Sequence, residues 1–219
     1  MENKTEHDLR LLQLRFIGKI LASFTHEIKN HIAIIKESAG LMEDMIKLKQ
    51  SSNKNEDEYI EIIHSIEEQV EKTNNLFRYL NRFSHRMDTV LSSFNVNESL
   101  EELSALLNRF ANQKKIVIEK FFQDDIPSIQ NNPAILQFLV FHLFMQKMAR
   151  LDRNSRISIK TEYLNESITI RIITKGTPVN VEKEEEELPH HVQAYILEQI
   201  GGSISGENED VKITLPLRL

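Results

Sequence analysis

The sequence predicts an α+β protein, in which a long antiparallel helical hairpin pairs with a second copy into a dimeric four-helix bundle and is followed by an α/β sandwich domain. Apolar residues recur with helical spacing up to about residue 91. From about residue 97 onwards, helical segments alternate with short strand-like segments. A length of 219 residues leaves room for one large domain or two small ones.

The first helix is predicted from about Leu9 to about Lys49. Its apolar side chains repeat every four and three residues, the spacing that buries one stripe of a helix in a bundle. The residues of this seam are Ile17, Leu21, Phe24, Ile28, His31, Ile35, Ser38, Met42 and Met45. His31 is therefore expected to face the bundle interior as a hydrogen-bonded core residue. His26 lies about 200° around the helix from Phe24 and is expected to face water.

A polar turn at 50–55 leads to a second helix, predicted from about Glu56 to about Leu91. Its apolar face comprises Tyr59, Ile63, Ile66, Val70, Leu76, Leu80 and Phe83. Two long helices joined by a short turn form an antiparallel hairpin. A single hairpin cannot surround its own seam, whereas two paired hairpins bury both apolar stripes. We therefore expect a homodimer.

The second half is predicted to mix helices and strands. Residues 92–97 are expected to be a linker, with Asn97 as the N-cap of a helix over 98–112. Asn132 and Pro133 are typical of a helix start, and the helix that follows to about residue 150 is apolar nearly all round, which predicts burial. The other predicted elements are strands at 116–122, 156–163, 167–174, 203–205 and 211–216, a turn at Asn165-Glu166, a helix at 189–200 ending in Gly201-Gly202, and a solvated acidic loop at 182–187.

The composition excludes several classes of protein. The absence of cysteine rules out disulfides and thiolate metal sites. A net charge of −6 argues against a broad nucleic-acid-binding surface. The sequence has no run of 18 or more apolar residues, so no membrane span is expected. The N-terminus lacks the features of a signal peptide. We expect a cytoplasmic protein that contacts neither nucleic acid nor membrane and holds no metal.

The segment His26-Glu27-Ile28-Lys29-Asn30 resembles the phosphoacceptor box of two-component sensor histidine kinases, in the variant His-Glu-x-x-Asn. The order of elements in 97–219 resembles the ATP-binding domain of the same kinases. The landmarks of that domain are Ile135-Leu136-Gln137, Ile200-Gly201-Gly202 and Thr214-Leu215-Pro216-Leu217. The resemblance implies a dimerisation and histidine phosphotransfer hairpin over 1–93 and a Bergerat-like, degenerate ATPase-like domain over 94–219.

The sequence departs from these kinases at three places that hold nucleotide. Gln146 stands where they have an asparagine that helps to hold Mg²⁺, with His142 one turn earlier. The segment 174–178 lacks the aspartate and the second glycine of the adenine-binding Asp-x-Gly-x-Gly box. The segment 187–191 has Pro189 and nearby glutamates where a glycine-rich loop cradles phosphates. We therefore expect that ATP binding is lost and that the chain holds no cofactor.

The resemblance also implies roles for the residues of the box. A neutral imidazole nitrogen of His26 would attack a phosphoryl group, while Glu27 accepts the proton of the other nitrogen or fixes its tautomer. Asn30 would orient a water that dephosphorylates a receiver aspartate, and a plain surface role for this residue stays open. The docking surface for the receiver domain of a response regulator is expected at Lys29, Ala33 and Lys36.

The sequence thus predicts a histidine phosphotransferase of a phosphorelay, which exchanges a phosphoryl group between His26 and receiver aspartates without ATP-dependent autophosphorylation. The receiver would supply its own Mg²⁺, and a hybrid or sensor histidine kinase is a second candidate partner. Three alternatives stay open: a response-regulator phosphatase acting through Asn30, an active sensor histidine kinase with divergent ATP boxes, and a non-catalytic module that binds a kinase or regulator. His31 replaces the proline usual in these kinases, which predicts a straighter helix.

Overall fold

The computed structural model describes residues 2–48, 56–179, 187–207 and 209–218. The predicted turn at 50–55 and, apart from Glu187, the acidic run 182–187 lie outside the described residues. The helices are α1 (Glu2–Leu48), α2 (Glu56–Met87), α3 (Val96–Gln113), α4 (Pro133–Ala149) and α5 (His190–Gln199). The strands are β1 (Ser92–Phe94), β2 (Val117–Phe122), β3 (Ile129–Asn131), β4 (Arg156–Leu164), β5 (Ser167–Lys175), β6 (Ser203–Glu207) and β7 (Asp210–Pro216).

The two N-terminal helices pack along each other and confirm the predicted hairpin. Helix α1 begins at Glu2 rather than near Leu9, and α2 ends at Met87 rather than near Leu91. The predicted seam of α1 is buried or half-buried with one exception, because the side chain of Leu21 is 46% exposed. The dimer stays a prediction, because the structure describes a single chain.

The junction between hairpin and sheet differs from the prediction. The expected linker contains strand β1, which pairs antiparallel with β3, a strand that the sequence did not reveal. Helix α3 is capped by Asn95 rather than by Asn97: the Asn95 side-chain oxygen accepts hydrogen bonds from the backbone N–H groups of Asn97 (2.8 Å) and Glu98 (3.3 Å). The helix starts earlier because Val96 is fully buried in the core and must join the helix to pack there.

The side chain of Asn97 has another structural use. Its amide nitrogen donates to the backbone oxygen of Gln123 (2.8 Å), and its oxygen accepts a hydrogen bond from the hydroxyl of Thr161 (2.7 Å). These bonds attach the start of α3 to β4 and to the end of β2. The residue predicted as a helix cap is therefore a link between helix and sheet.

The main sheet has five strands in the order β2-β4-β5-β7-β6. Strands β2 and β4 are parallel and the other neighbours are antiparallel, so the sheet is mixed. Strands β4 and β5 are joined by the predicted turn, whose residues Asn165 and Glu166 both have the positive φ angles (51° and 58°) of a tight hairpin turn. The face towards α3, α4 and α5 buries the side chains of Ile157, Ile159, Ile170, Ile172, Ile213 and Leu215. This arrangement confirms the α/β sandwich.

Helix α4 lies at the centre of this domain and is buried nearly all round, as predicted. Pro133 is its first residue, and the side-chain oxygen of Asn132 accepts a hydrogen bond from the backbone N–H of Ile135 (3.0 Å). At the other end, the ammonium group of Lys114 donates to two carbonyl oxygens of the last turn (3.2 and 3.3 Å). A cation there satisfies carbonyl groups that have no partner within the helix.

A single hydrophobic core runs from the sheet domain into the hairpin. Phe16 of α1 is 1% exposed, and its ring lies 5.5 Å from the ring of Phe83 in α2. The same ring lies 5.7 Å from Phe138 and 4.7 Å from Phe141, both in α4. The lower part of the hairpin is therefore packed into the domain that follows it in the chain.

Candidate functional site

His26 lies on the exposed side of α1, as the helical spacing predicts. The side-chain amide nitrogen of Asn30 lies 3.3 Å from Nδ1 of His26, so the two residues form a pair across one helical turn. The imidazole of His26 is thus exposed to solvent, and its Nδ1 contacts the side chain of Asn30.

His31 is half-buried and makes the hydrogen bond within the hairpin that was predicted for it. Its Nδ1 lies 2.7 Å from Oε1 of Gln69 in α2, and the Gln69 side chain is 6% exposed. Because an amide oxygen can only accept, Nδ1 of His31 is the donor in this hydrogen bond. His26 and His31 therefore occupy opposite environments, one in solvent and one inside the hairpin.

Glu27 is half-buried and borders a crevice of about 530 Å³ between the hairpin and α3. The polar side chains that line this crevice with it are those of His31, Lys72, Asn75, Tyr79, Asn108 and Arg109. The acidic residue of the box therefore lies on the side of α1 that faces the sheet domain, and the contact to Nδ1 of His26 comes from Asn30.

The sheet domain contacts the hairpin one turn before the histidine. Arg109 of α3 donates a hydrogen bond from Nη1 to the backbone oxygen of Ala22 (3.1 Å). Ser23 is 2% exposed, and its hydroxyl lies 3.5 Å from the backbone oxygen of Leu106. No local pattern predicts this contact, because its two sides are more than 80 residues apart in the chain.

The residues predicted to bind a receiver share the solvent-facing side of α1. Lys29, Ala33 and Lys36 follow His26 at intervals of three and four residues, and all three are exposed. They form a strip that begins beside the histidine and runs towards the tip of the hairpin. Docking on this strip stays a prediction.

Residues at the three places where the sequence departs from the kinase pattern make contacts within the chain. The side-chain amide of Gln146 donates to the carboxylate of Glu187 at 3.0 Å. Both the backbone N–H and the hydroxyl of Thr174 donate to the backbone oxygen of Glu209, at 2.8 and 3.2 Å. His142 is 7% exposed and its ring lies 4.5 Å from the ring of Phe138, so it is part of the packed core.

Helix α5 begins within the segment 187–191, the third place at which the sequence departs from the kinase pattern. Pro189 precedes the helix and provides no side-chain cap. The next turn contacts the hairpin, where Nε2 of His191 lies 3.1 Å from a carboxylate oxygen of Asp8. Leu188 is 5% exposed and belongs to the same core cluster as Leu9 of α1. This segment therefore packs against α1.

Within the described ranges, no group of three or more histidine, aspartate or glutamate side chains is arranged to hold a metal ion. The described helices also include none that combines the length and the apolar character needed to cross a membrane.

Comparison with known proteins identifies the fold. No protein-family model and no curated protein sequence matches the chain. Among solved structures, this chain is similar to the nucleotide-free catalytic domain of histidine kinase ThkA. The match covers 60% of this chain and 100% of that chain, at 15% identity and a TM-score of 0.51. A histidine kinase from Burkholderia phymatum STM815 matches 90% of this chain with 98% of its own length, at 10% identity and a TM-score of 0.50. The chain has the fold of a histidine kinase core.

The histidine kinase fold extends over both parts of the chain, because the Burkholderia kinase is matched over the hairpin as well as the sheet domain. A further match is ThkA in complex with the response regulator protein TrrA, with 18% identity, 98% of this chain and 66% of that chain covered, and a TM-score of 0.48. The matches to the ThkA catalytic domain and to the Burkholderia kinase confirm the predicted fold, a helical hairpin followed by a sheet-plus-helix domain that resembles histidine kinase catalytic domains.

Proposed function

We propose that this protein is a dimeric histidine phosphotransferase of a two-component phosphorelay, in which His26 exchanges a phosphoryl group with the receiver aspartate of a response regulator. The observation that carries the proposal is the exposed pair of His26 and Asn30 on the hairpin of a histidine kinase fold. The His-Glu-x-x-Asn order and the solvent exposure of the imidazole coincide on one helix face.

The transfer step requires little from the protein beyond positioning. The unprotonated Nε2 of His26 attacks the phosphorus of the receiver's aspartyl phosphate, an N–P bond forms, and the P–O bond to the aspartate breaks. The electron pair of that bond leaves with the carboxylate. Charge neutralisation at the phosphoryl group falls to the Mg²⁺ that the receiver brings. The strip of Lys29, Ala33 and Lys36 would hold the receiver against the histidine.

Two contacts and one missing backbone donor support a chain that does not phosphorylate itself from ATP. The carboxylate of Glu187 is bonded to Gln146, so a negative charge stands beside the residue that replaces the Mg²⁺-binding asparagine. An anionic triphosphate would be repelled there. Thr174 replaces the adenine-binding aspartate and bonds to the backbone of Glu209. Pro189 removes one backbone donor from the start of α5.

The sheet domain would then provide a fixed docking surface beside His26. Its contacts to Ala22 and Ser23 lie one turn from His26, and the crevice beside Glu27 is open between α3 and the hairpin. A receiver docked on the exposed strip of α1 would reach this corner of the molecule. A docking role explains why the domain is retained when its nucleotide contacts are altered.

Unpartnered apolar side chains on the hairpin support the homodimer. Helix α2 exposes Ile63, Val70 and Phe77, which are one heptad apart, by 45%, 45% and 52%. A groove of about 680 Å³ at the base of the hairpin is lined by Phe77 together with Ile17 and Leu21 of α1. A heptad stripe of this kind is typical of a helix that packs against another helix. A second copy of the hairpin would bury it.

Phosphotransfer profiling tests the proposal. The protein is mixed with response regulators that carry labelled aspartyl phosphate, and the label is followed on both proteins. We expect a cognate receiver to lose label to this protein, at an acid-labile and base-stable site that is absent in His26→Ala. If His26→Ala removes phosphate from the cognate receiver as fast as the unmodified protein does, transfer through His26 is wrong.

The exposed position of Asn30 beside His26 favours one second candidate, a response-regulator phosphatase. In that case the receiver would lose phosphate to water, Asn30→Ala would abolish the loss, and no phosphorylated form of this protein would be found. The same profiling experiment separates the two functions, because it measures label on this protein and free phosphate together.

A further inference from the structure

The contact between His26 and Asn30 raises the question of which imidazole nitrogen carries the proton. The side-chain amide nitrogen of Asn30 lies 3.3 Å from Nδ1 of His26, and because an amide nitrogen can only donate, Nδ1 is the acceptor in this orientation of the amide. The oxygen and nitrogen of a side-chain amide exchange places when the amide turns by half a rotation, and both orientations fit the same space.

Resting on the proposed transfer through His26, we propose that Asn30 is a positioning residue that fixes the tautomer of His26. In the reactive state its amide oxygen accepts a hydrogen bond from the N–H at Nδ1. The proton of the neutral ring is then held at Nδ1, and Nε2 keeps the lone pair that attacks phosphorus. Asn30 itself does not touch the phosphoryl group.

A neutral imidazole can attack through Nε2 only when its proton is on Nδ1. One ring nitrogen carries the proton and the other carries the lone pair. If the Asn30 amide donated to Nδ1 during the reaction, the proton would be on Nε2, and the outer nitrogen could not act as a nucleophile. A histidine side chain in water favours the tautomer with the proton on Nε2, so an acceptor at Nδ1 is needed to populate the reactive form.

The same bond continues to act after the transfer. When the N–P bond forms at Nε2 and the receiver carboxylate leaves with its electron pair, the ring keeps its proton at Nδ1 and becomes a cation. The amide oxygen of Asn30 then accepts a charge-assisted hydrogen bond, which is stronger than the bond to a neutral ring. Asn30 thereby stabilises the phosphorylated histidine as well as the reactive tautomer.

Helix geometry favours Asn30 over Glu27 for this task. Asn30 is four residues after His26 and lies directly beside it along the helix, whereas Glu27 is rotated by about 100°. Glu27 borders the crevice with Lys72 and Arg109, which gives its carboxylate cationic neighbours on the other side of α1. The contact at Nδ1 comes from the amide.

The tautomer of His26 can be read directly by NMR of protein labelled with ¹⁵N in its histidines, from the spectra of the neutral ring in a pH series. We expect the proton of His26 mainly at Nδ1 in the unmodified protein and mainly at Nε2 in Asn30→Ala. Asn30→Asp should keep the proton at Nδ1, because a carboxylate can only accept. Gln199→Ala removes an exposed amide of α5 and should leave the His26 signals unchanged.

Transfer rates from the cognate phosphorylated receiver provide the second measurement. A lost hydrogen bond of ordinary strength predicts a rate about two to five times lower in Asn30→Ala. Asn30→Asp should regain the rate at high pH, with a profile moved to higher pH because the new carboxylate stabilises the protonated ring. A residue that only supports the helix would not produce this rescue.

The proposal is overturned if the tautomer of His26 is the same in the unmodified protein and in Asn30→Ala, or if Asn30→Asp transfers phosphate as slowly as Asn30→Ala at every pH. The tautomer measurement needs no partner protein, so it tests the hydrogen bond even if His26 never receives a phosphoryl group. The proposed function is refuted separately, if His26 receives no phosphoryl group from any phosphorylated receiver.

Discussion

The lower and upper halves of the helical hairpin differ in what covers their apolar side chains. In the lower half, Phe16 and Ile20 of α1 and Phe83 of α2 are at most 3% exposed, because α4 and the rest of the sheet domain pack on them. In the upper half the seam residues of α1, such as Ile35 and Met42, are only half-buried against α2. Side chains with the same helical periodicity are therefore fully buried in the lower half and only half-buried in the upper half.

This difference bears on the proposed function, because His26 lies at the border between the two halves. The lower half fixes the sheet domain in place, through the aromatic cluster around Phe16 and the hydrogen bond from Arg109 to Ala22. Swinging the domain over His26 would open that core. The upper half has exposed surface for a second copy and for a partner. Both features agree with a histidine that receives its phosphoryl group from another protein.

The largest effect is expected from Phe16→Ala in the lower half. Removal of a fully buried phenylalanine side chain should lower the free energy of unfolding by about 3–5 kcal/mol. Met42→Ala in the upper half should cost about 1–2 kcal/mol, because its side chain is half-buried. Urea unfolding at one fixed protein concentration measures both. Equal losses for the two variants would show that the halves of the hairpin do not differ.

Glu102→Gln tests the ionic part of the lower junction. The carboxylate is fully buried in α3 and accepts hydrogen bonds of 2.6 and 3.0 Å from Arg86 of α2. Removing one partner of a buried ion pair leaves the other uncompensated, so we expect a loss of about 3 kcal/mol in unfolding free energy. The double variant Glu102→Gln/Arg86→Met should recover part of it in a double-mutant cycle. Strict additivity would contradict the pair.

Val70→Lys tests the apolar stripe of the upper half. A lysine in a helix–helix seam should weaken the dimer by at least about 30-fold in dissociation constant. Glu61→Lys is the matched control. Glu61 is exposed and lies about 200° around α2 from Ile63, and its replacement by lysine changes the charge by more than Val70→Lys does. Light scattering over a concentration series reads the outcome. A monomer at micromolar concentration before any substitution would refute the four-helix bundle.

The smallest effect is expected from the histidine inside the upper half. His31→Leu leaves the buried oxygen of Gln69 without its donor and should cost about 1–2 kcal/mol of unfolding free energy. The double variant His31→Leu/Gln69→Leu should regain stability, because both polar groups are then gone. Phosphotransfer through His26 should be unchanged in the double variant. A loss of transfer there would mean that His31 has a role beyond structure.

Local signals in the sequence predicted local structure well. Asn132 and Pro133 predicted the start of α4, and Gly201, with a φ of 58°, ends α5 where it was expected. Periodicity also placed His26 in solvent and His31 against α2. These features depend on residues within one or two helical turns of each other.

Contacts between distant parts of the chain could not be predicted in the same way. Phe16 was absent from the predicted seam and is almost fully buried, whereas Leu21 was on the seam and is 46% exposed. Periodicity tells which residues share a face, but not which element will cover that face. The short strands β1 and β3 carry too few residues for a period-two pattern, and they form only as a pair.

In the proposed function, His26 takes its phosphoryl group from a receiver and not from ATP. The most direct test measures acid-labile label on the protein after incubation with γ-labelled ATP and Mg²⁺ alone, and after incubation with the labelled cognate receiver. We predict no label on His26 in the first case and label in the second that disappears in His26→Ala. Label on His26 from ATP alone, without any other protein, would contradict the account.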